Sequence, residues 1–172
     1  MSVQLSTRNH GGRYPHSSLH SVGPPKRDTP GPINVDRFTW WGRPVSASVP
    51  RLFLDHFWST SRIAEDEQGL AGFLVAFVSA SQPHLAYVHF VGIRPDHRRS
   101  GLARQLYEEF ANHARGLDCT ELRAITTPAN TGSIRFHKAL DFTVSEPVAD
   151  YNGPGRPMVT FRRQLGPSND DR

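Results

Sequence analysis

The 172-residue chain contains a single cysteine, Cys119. One thiol excludes an internal disulfide and any zinc site built from several cysteines. Cys119 falls in a predicted connection between a helix and a strand, where we expect a partly buried structural residue. Of the nine histidines, His10, His16 and His20 lie in the N-terminal segment, and the other six show no i, i+4 pair of a helical zinc motif, so we predict no metal site.

Long apolar runs are also missing. The longest, residues 70–80, is too short and too interrupted to cross a bilayer, and no apolar segment followed by a cleavage site occurs at the N-terminus. We therefore expect a soluble, cytoplasmic protein with no membrane partner.

Acidic residues are absent from residues 1–27, which hold Arg8, Arg13, Lys26 and Arg27. This segment accounts for the whole net charge of +4, because the rest of the chain has 16 basic and 16 acidic residues. A nucleic-acid-binding domain would carry its basic residues on the fold itself, so we predict no nucleic-acid partner. Because the segment is poor in apolar residues, we predict a flexible leader over residues 1–33, one domain over 34–165 and a polar tail over 166–172.

Two phosphate-binding motifs are missing as well. No Gly-Lys-Ser/Thr run occurs, and no Gly-x-Gly-x-x-Gly opens a helix. Instead, an apolar strand over residues 85–93 stops at Pro95, passes through an arginine-rich turn and restarts as a helix at Gly101. The first amides of a helix lack intrahelical partners and carry partial positive charge, so this segment suits a phosphate. A solvated basic turn is the alternative interpretation.

Hydrophobic periodicity predicts a mixed α/β order of helix, hairpin, strand, helix, strand, helix and strand. The second helix is the clearest, because an apolar residue recurs every four positions from Leu102 to Ala114. The predicted helices cover residues 45–58, 102–114 and 133–140, and the predicted strands cover residues 62–65, 70–80, 85–93, 122–126 and 158–161.

Two motifs resemble those of a known superfamily. The spacing Arg98-x-x-Gly101-x-Ala103 resembles the Arg/Gln-x-x-Gly-x-Gly/Ala signature of the GNAT superfamily of N-acetyltransferases. Residues 130–142 resemble its Asn-x-x-Ser/Ala-Ile-x-Phe/Leu-Tyr/His-x-x-x-Gly-Phe segment, except that Asp141 stands where the family has glycine. The residues in register are Asn130, Ser133, Ile134, Phe136, His137 and Phe142. The resemblance covers residues 61–165.

This resemblance implies a mixed α+β fold with a central, mostly antiparallel, twisted sheet that is flanked by helices and splayed where acetyl-CoA binds. The first strand of the family cannot be identified in the leader. Backbone groups at the end of the third strand would contact the acetyl group and the pantetheine arm, and Gly92 there suggests a bulge or a close backbone approach. The CoA-binding residues implied are Val91, Gly92, Ile93, Arg98, Arg99, Ser100, Gly101, Leu102, Ala103, Arg104, Asn130, Ser133 and Phe136.

His137 stands where many relatives carry a tyrosine that protonates the leaving thiolate. Imidazole titrates near pH ~6.5, so we expect a partly protonated His137 to act as the general acid, or else to pack against the adjacent strand. Asn130 is expected to bind pantetheine, to cap the following helix, or both.

The general base is less directly indicated. The glutamate that some relatives carry on the strand before Asn130 would fall at Ile125, which cannot accept a proton. A period of two places Tyr87, His89, Val91 and Ile93 on one face of the third strand. We therefore expect His89 to act as the base with Tyr87 beside it, or to be a hydrogen-bonded core residue.

Together these features predict an acyltransferase that moves the acetyl group of acetyl-CoA to a primary amine of a small molecule by direct attack, as a monomer or homodimer. The alternatives are a noncatalytic acyl-CoA-binding module and a protein acetyltransferase whose basic leader recruits an acidic partner. We expect Trp40, Trp41, Phe57 and a partly flexible loop at residues 151–155 to line the acceptor side.

Overall fold

The computed structural model describes residues 18–21, Trp40 and residues 48–166. Within these residues the strands are β1 (Ser18–Ser21), β2 (Arg62–Asp66), β3 (Gly69–Val78), β4 (Leu85–Ile93), β5 (Glu121–Thr126), β6 (Thr143–Val144) and β7 (Val159–Gln164). The helices are α1 (Arg51–His56), α2 (Leu102–Arg115) and α3 (Thr131–Lys138). None of the three is long and apolar enough to cross a membrane.

The strands form one sheet in the order β1-β2-β3-β4-β5-β7-β6. Every pairing is antiparallel except that of β4 with β5, which is parallel. This parallel pairing extends only from Leu85 and Glu121 to Tyr87 and Arg123, after which the two strands separate. The predicted mixed fold with a splayed, mostly antiparallel sheet is therefore confirmed.

Helix α2 packs its predicted apolar stripe on one face of the sheet. Leu102, Leu106, Phe110 and Ala114 are all buried, and they join a core that includes Phe161. Burial of each large apolar side chain contributes about 1.5–3 kcal/mol, so this contact fixes the position of α2. A smaller cluster on the opposite face joins α1 to the sheet through Leu54, Ile63, Phe73 and Val75.

The N-terminal region differs from the prediction. The helix expected over residues 45–58 is limited to α1, which begins after Pro50, and residues 45–47 lie outside the described residues. Strand β1 falls within the predicted leader, and its four residues pair with β2. Their sequence, Ser-Leu-His-Ser, shows no strand pattern that could have predicted β1. The strand is held to the sheet by its backbone pairing with β2.

Shorter elements were also displaced or missed. Helix α3 begins two residues earlier than predicted, because the Asn130 side chain accepts a hydrogen bond from the Ser133 amide (3.1 Å) and caps it. Asp141 has φ 62°, in the left-handed region that its place in a glycine position requires. β6 is two residues long, too short for a periodic signal.

A β-bulge in β4 changes which side chains share a face. Val75 pairs with Phe90 and Ala76 pairs with Val88, so His89 is an extra residue in the strand. No bulge lies at Gly92, which pairs regularly with Phe73, but its carbonyl oxygen would lie 3.2 Å from a Cβ at Gly72, in line with the alternative expectation of a close backbone approach.

The bulge also overturns the predicted common face. Tyr87 stacks on Phe77 and His89 stacks on Phe53, on the α1 side of the sheet. Val91 and Ile93 instead pack against the core beneath α2. Two consecutive residues, His89 and Phe90, therefore face α1, and the alternation resumes after them.

Candidate active site

A cavity of about 580 Å³ lies at the N-terminus of α2. It is lined by eight residues predicted to bind CoA and by two others, His97 and Ala139. The eight are Ile93, Arg98, Arg99, Gly101, Leu102, Ala103, Arg104 and Phe136. The structure thus brings the arginine-rich turn together with α3, as the two sequence motifs require.

The turn before α2 depends on left-handed backbone. Gly101 has φ 89° and Arg99 has φ 64°. Ser100 does not belong to the cavity lining, although it was expected to contact CoA. Its hydroxyl donates to the His97 carbonyl (2.7 Å) and accepts from the Leu102 amide (3.3 Å), so it closes the turn instead.

Arginines surround this helix end. Arg98 donates to the Trp40 carbonyl, and Arg104 donates to the Ala139 carbonyl at the end of α3. Arg99 is exposed. These guanidinium groups and the first amides of α2 give the cavity a concentration of positive charge.

A buried network holds the turn in place. The Asp66 carboxylate accepts hydrogen bonds from Arg94 and from His97 Nε2 (2.8 Å). The bonds from Arg94 hold the pKa of Asp66 well below its usual range, so the carboxylate is ionised. Sequence reasoning missed this role of Asp66, because its partners lie about 30 residues away along the chain.

Close approach of β3 to the turn requires glycine. A Cβ at Gly72 would lie 2.9 Å from Ile93 Cδ1 and 3.2 Å from both the Gly92 carbonyl oxygen and Leu102 Cδ2. Gly72 therefore lets the end of β4 and the start of α2 pack directly on β3.

A second cavity, of about 560 Å³, lies in the opening between β4 and β5. On its β4 wall the strand edge that faces β5 has no strand partner beyond Tyr87 within the described residues, so backbone groups line the opening. Six residues predicted to act at the site line this cavity: Tyr87, His89, Val91, Asn130, Ser133 and His137. Gly92 lies between the linings of the two cavities.

His89 has a defined tautomer. Its Nε2 lies 2.7 Å from the Ser48 carbonyl oxygen, which can only accept, so Nε2 carries the hydrogen and Nδ1 carries a lone pair. The ring stacks on Phe53 with centroids 4.0 Å apart, which fixes its orientation. His89 can therefore accept a proton at Nδ1.

His137 is placed differently from the expectation. It is buried, stacks on Phe161, and its Nδ1 donates to the Ser133 carbonyl (2.8 Å). Burial lowers the pKa of His137 to about 4, so the ring is neutral at pH 7. The expected partly protonated imidazolium is wrong, because a buried ring without a carboxylate partner disfavours the charge.

Two tyrosines complete the polar wall. Burial raises the pKa of Tyr87 to about 12, so its phenol stays neutral. Tyr107, from α2, donates to His137 Nε2 (2.9 Å) and was not singled out from the sequence, because it lies beside Leu106 in an apolar helix stripe. Ile125 also lines the cavity, which leaves that position without a proton acceptor, as the sequence indicated.

The acceptor side is formed in part by the expected residues, because Asn152 belongs to the predicted loop at residues 151–155. Phe53 and Asn152 line the cavity, whereas Trp40 packs on Phe73 and Phe57 packs on Phe77 away from it. Trp41 lies outside the described residues.

The loop at residues 151–155 is closed by hydrogen bonds. The Gly155 amide donates to the Asp150 carboxylate (2.7 Å), and Val148 and Met158 form a bridge at its base. These contacts hold the loop at its tip and at its base.

Cys119 is buried, and burial raises the pKa of its thiol, as expected for a structural cysteine. Among the described residues, no three His, Cys, Asp or Glu side chains are grouped so that they could hold a metal ion.

Comparison with known proteins gives a consistent result. The family described as "Acetyltransferase (GNAT) family" matches residues 25–142. Two curated proteins named L-2,4-diaminobutyric acid acetyltransferase are similar. The one from Vibrio cholerae is 30% identical over 96 residues, which is 56% of each chain. The one from Halalkalibacterium halodurans is 24% identical over 119 residues, 69% of this chain and 59% of the relative.

The chain thus spans little more than half the length of these curated relatives. Among solved structures, one from Desulfovibrio desulfuricans assigned to the GNAT family of acetyltransferases has a TM-score of 0.72 at 18% identity. The match covers 88% of this chain and all of that one. At this identity the likeness concerns the fold.

Proposed function

The chain belongs to the acetyltransferase (GNAT) family, and on that premise we propose that it transfers the acetyl group of acetyl-CoA to a primary amine of a small molecule. One observation carries the proposal: two cavities of different chemistry meet along β4 and α3. The cavity at α2 is basic, and the cavity in the sheet opening is lined by histidine and tyrosine side chains that can transfer protons.

Acetyl-CoA has a phosphorylated end and a thioester end, and the two cavities suit them in turn. The free amides of α2 together with Arg98, Arg99 and Arg104 suit the pyrophosphate. The open edge of β4 next to Val91 offers backbone groups to the pantetheine amides and to the thioester carbonyl.

The acceptor nitrogen must be neutral before it attacks, since an alkylammonium has no lone pair. We assign removal of the first proton to Nδ1 of His89, a residue that lines the cavity and whose Nε2 is taken by the Ser48 carbonyl. This assignment keeps the predicted base and replaces the predicted imidazolium acid, because His137 is neutral.

Two observations support a small-molecule acceptor: the volume of the cavity and the names of the similar curated proteins. A cavity of about 560 Å³ lies in the range of small-ligand sites. Both curated relatives carry the name of a small diamine's acetyltransferase. Asn130, Thr126 and Asn152 supply polar groups around it.

A noncatalytic acyl-CoA-binding module is the second candidate. It is favoured by Ile125, which occupies the wall where a carboxylate would otherwise accept a proton. Such a module would keep the basic cavity and bind acyl-CoA without turnover.

The test combines thiol release from acetyl-CoA against a panel of small primary amines with calorimetric measurement of acetyl-CoA binding. We expect binding and turnover with at least one amine. Gly101→Arg should abolish binding, because it fills the cavity and strains a left-handed position, whereas Gly166→Arg, in open space, should not. Binding without turnover across the panel would identify the module instead.

A further inference from the structure

The cavity in the sheet opening has an apolar rim. Among the described residues, four large apolar or aromatic side chains are exposed: Leu52, Leu117, Val148 and Tyr151. Single exposed apolar residues are ordinary on a protein surface, whereas a group of them around one opening marks a binding surface. Leu52, Val148 and Tyr151 all border residues that line this cavity and form its rim, while Leu117 lies beyond the C-terminal end of α2.

Leu52 stands on the α1 side of the opening. Pro50 and Phe53 line the cavity, and Leu52 lies between them in the first turn of α1. Consecutive residues of a helix are about 100° apart, so Leu52 borders the face that carries Phe53 and turns away from buried Leu54. Because its side chain is 57% exposed, it lies open at the edge of the cavity.

Val148 and Tyr151 stand on the opposite side, in the segment that follows β6. Val148 and Met158 are directly opposed in an antiparallel bridge, so their side chains share a face, and Met158 lines the cavity. Tyr151 precedes Asn152, another lining residue. Burial and, to a smaller extent, the Tyr151 phenol raise the pKa of Tyr87, which places Tyr151 near that lining residue as well. Two walls with apolar edges therefore face each other across the opening.

The lining between these two walls is neutral. The ionisable side chains among the described lining residues are Tyr87, His89, Tyr107 and His137. Burial lowers the pKa of His137 and raises the pKa of both tyrosines, so these three groups are uncharged at pH 7. A second charge on a bound acceptor would lose its water beside neutral side chains, which is costly because a buried charge needs an opposite charge as its partner.

We propose that the acceptor is an apolar monoamine, a primary alkylamine or arylalkylamine whose amino group reaches His89 and whose hydrocarbon body lies against the rim. The inference rests on the proposed acetyl transfer and names its substrate class. The neutral amine forms a bond from nitrogen to the acetyl carbon, and the carbon–sulfur bond breaks. The nitrogen loses one proton and the sulfur gains one, so the products are an uncharged amide and free CoA.

A matched series of amines tests the proposal on the wild-type protein. Hexylamine, 6-aminohexanoate and pentane-1,5-diamine carry the reacting amino group on the same chain of five methylenes, and they differ at the far end, which is a methyl group, a carboxylate or a second ammonium. We expect kcat/KM for hexylamine to exceed that for each charged partner by about tenfold or more, because only the methyl group suits a neutral, apolar surface. A smaller ratio for either partner would overturn the proposal.

The length of the chain gives a second measurement. From propylamine to hexylamine, kcat/KM should rise by about two- to fourfold per methylene, since each one leaves water for the rim. A flat series would contradict a hydrocarbon body held there.

Two matched variants connect this preference to the rim. Leu52→Gln makes one edge of the opening polar, and Leu117→Gln makes the same change at an exposed leucine that lines neither cavity. We expect Leu52→Gln to lower the ratio of kcat/KM for hexylamine to that for propylamine by about threefold or more, while Leu117→Gln keeps the wild-type ratio. Both side chains are exposed, so both variants should fold with melting temperatures near that of wild type. Equal ratios in the two variants would overturn the role of the rim.

Self-association is the competing use of an apolar rim. Sedimentation velocity of wild type and Leu52→Gln distinguishes the two uses, and we expect the same mass for both proteins. A dimer that Leu52→Gln dissociates would assign the rim to contact between two copies of the chain and overturn the proposal.

The amine series separates the failure of this inference from that of the proposed function. A wild-type protein that binds acetyl-CoA but acetylates no amine overturns both. A wild-type protein that acetylates the charged amines as well as it acetylates hexylamine overturns the substrate class alone.

Discussion

Nε2 of His97 lies 2.8 Å from Oδ2 of Asp66, although 31 residues separate the two in sequence. The side chains are 5% and 9% exposed. The same carboxylate binds Arg94, which also donates to the Leu70 carbonyl (3.1 Å). The end of the β2–β3 hairpin thus sets the conformation of the turn that precedes α2, and with it the shape of the basic cavity.

Asp66→Asn should therefore weaken acetyl-CoA binding without touching the cavity itself. The amide cannot neutralise Arg94, so the turn loses its ionic anchor and we expect a several-fold higher Kd with a smaller change in kcat. Titration calorimetry and steady-state kinetics measure the two effects. Glu67→Gln, the exposed neighbour, is the matched control; an equal effect from both variants would contradict the role of the network.

The same network should give acid sensitivity. Because hydrogen bonds lower the pKa of Asp66, its contribution to stability is fully present above pH ~4 and is lost as the pH falls further. We expect the melting temperatures of wild type and Asp66→Asn to converge below pH ~4. A constant difference between them from pH 2 to pH 7 would show that the carboxylate charge is not responsible.

His137 should affect the stability of the fold in a higher pH range than Asp66 does. Burial lowers its pKa to about 4, below the ordinary value of 6.5, so the unfolded chain binds the proton more readily than the folded one. Stability should then fall as the pH drops from about 6.5 to about 4, by roughly 3 kcal/mol at most. Urea unfolding of wild type and His137→Phe measures this, and the variant should lose most of the slope in that window.

His89→Gln should separate catalysis from binding. Gln cannot accept a proton at neutral pH, so we expect kcat to fall by about 100-fold while acetyl-CoA affinity stays the same. His113→Gln is the control, because His113 lies on α2 and lines neither cavity. If His89→Gln kept kcat within threefold of wild type, the base assignment would be wrong.

Gly72→Ala should destabilise the contact between β3, β4 and α2. The new Cβ would lie within 3.2 Å of the Gly92 carbonyl oxygen and still nearer to Ile93 Cδ1. Overpacking of this kind costs about 1–3 kcal/mol, which chemical denaturation can resolve. The same substitution at Gly166, which has open space around it, should cost far less.

The elements with a strong local signal could be predicted from the sequence. The stripe from Leu102 to Ala114 identified α2, and the apolar run into Pro95 identified β4 and its turn. The two motifs also identified most of the basic cavity, because they are short segments in which the backbone itself forms the contacts.

The parts that sequence reasoning missed depend on long-range geometry. A bulge at His89 leaves no compositional signal, since it is a property of the register between β3 and β4. Tyr107 is hidden in an apolar stripe, and its role depends on a partner 30 residues away. The charge state of His137 could not be inferred either, because it is set by burial and not by residue type.

Because His89 is an extra residue in β4, deleting it would leave the pairing of β4 with β3 intact. If it were deleted, Val88 and Phe90 would be adjacent and would keep their partners Ala76 and Val75, so the ladder would be regular and every later side chain would keep its face. Deletion should thus remove the imidazole and spare acetyl-CoA binding. A strand of this design can gain or lose a reactive group by a single codon without any rearrangement of the fold around it.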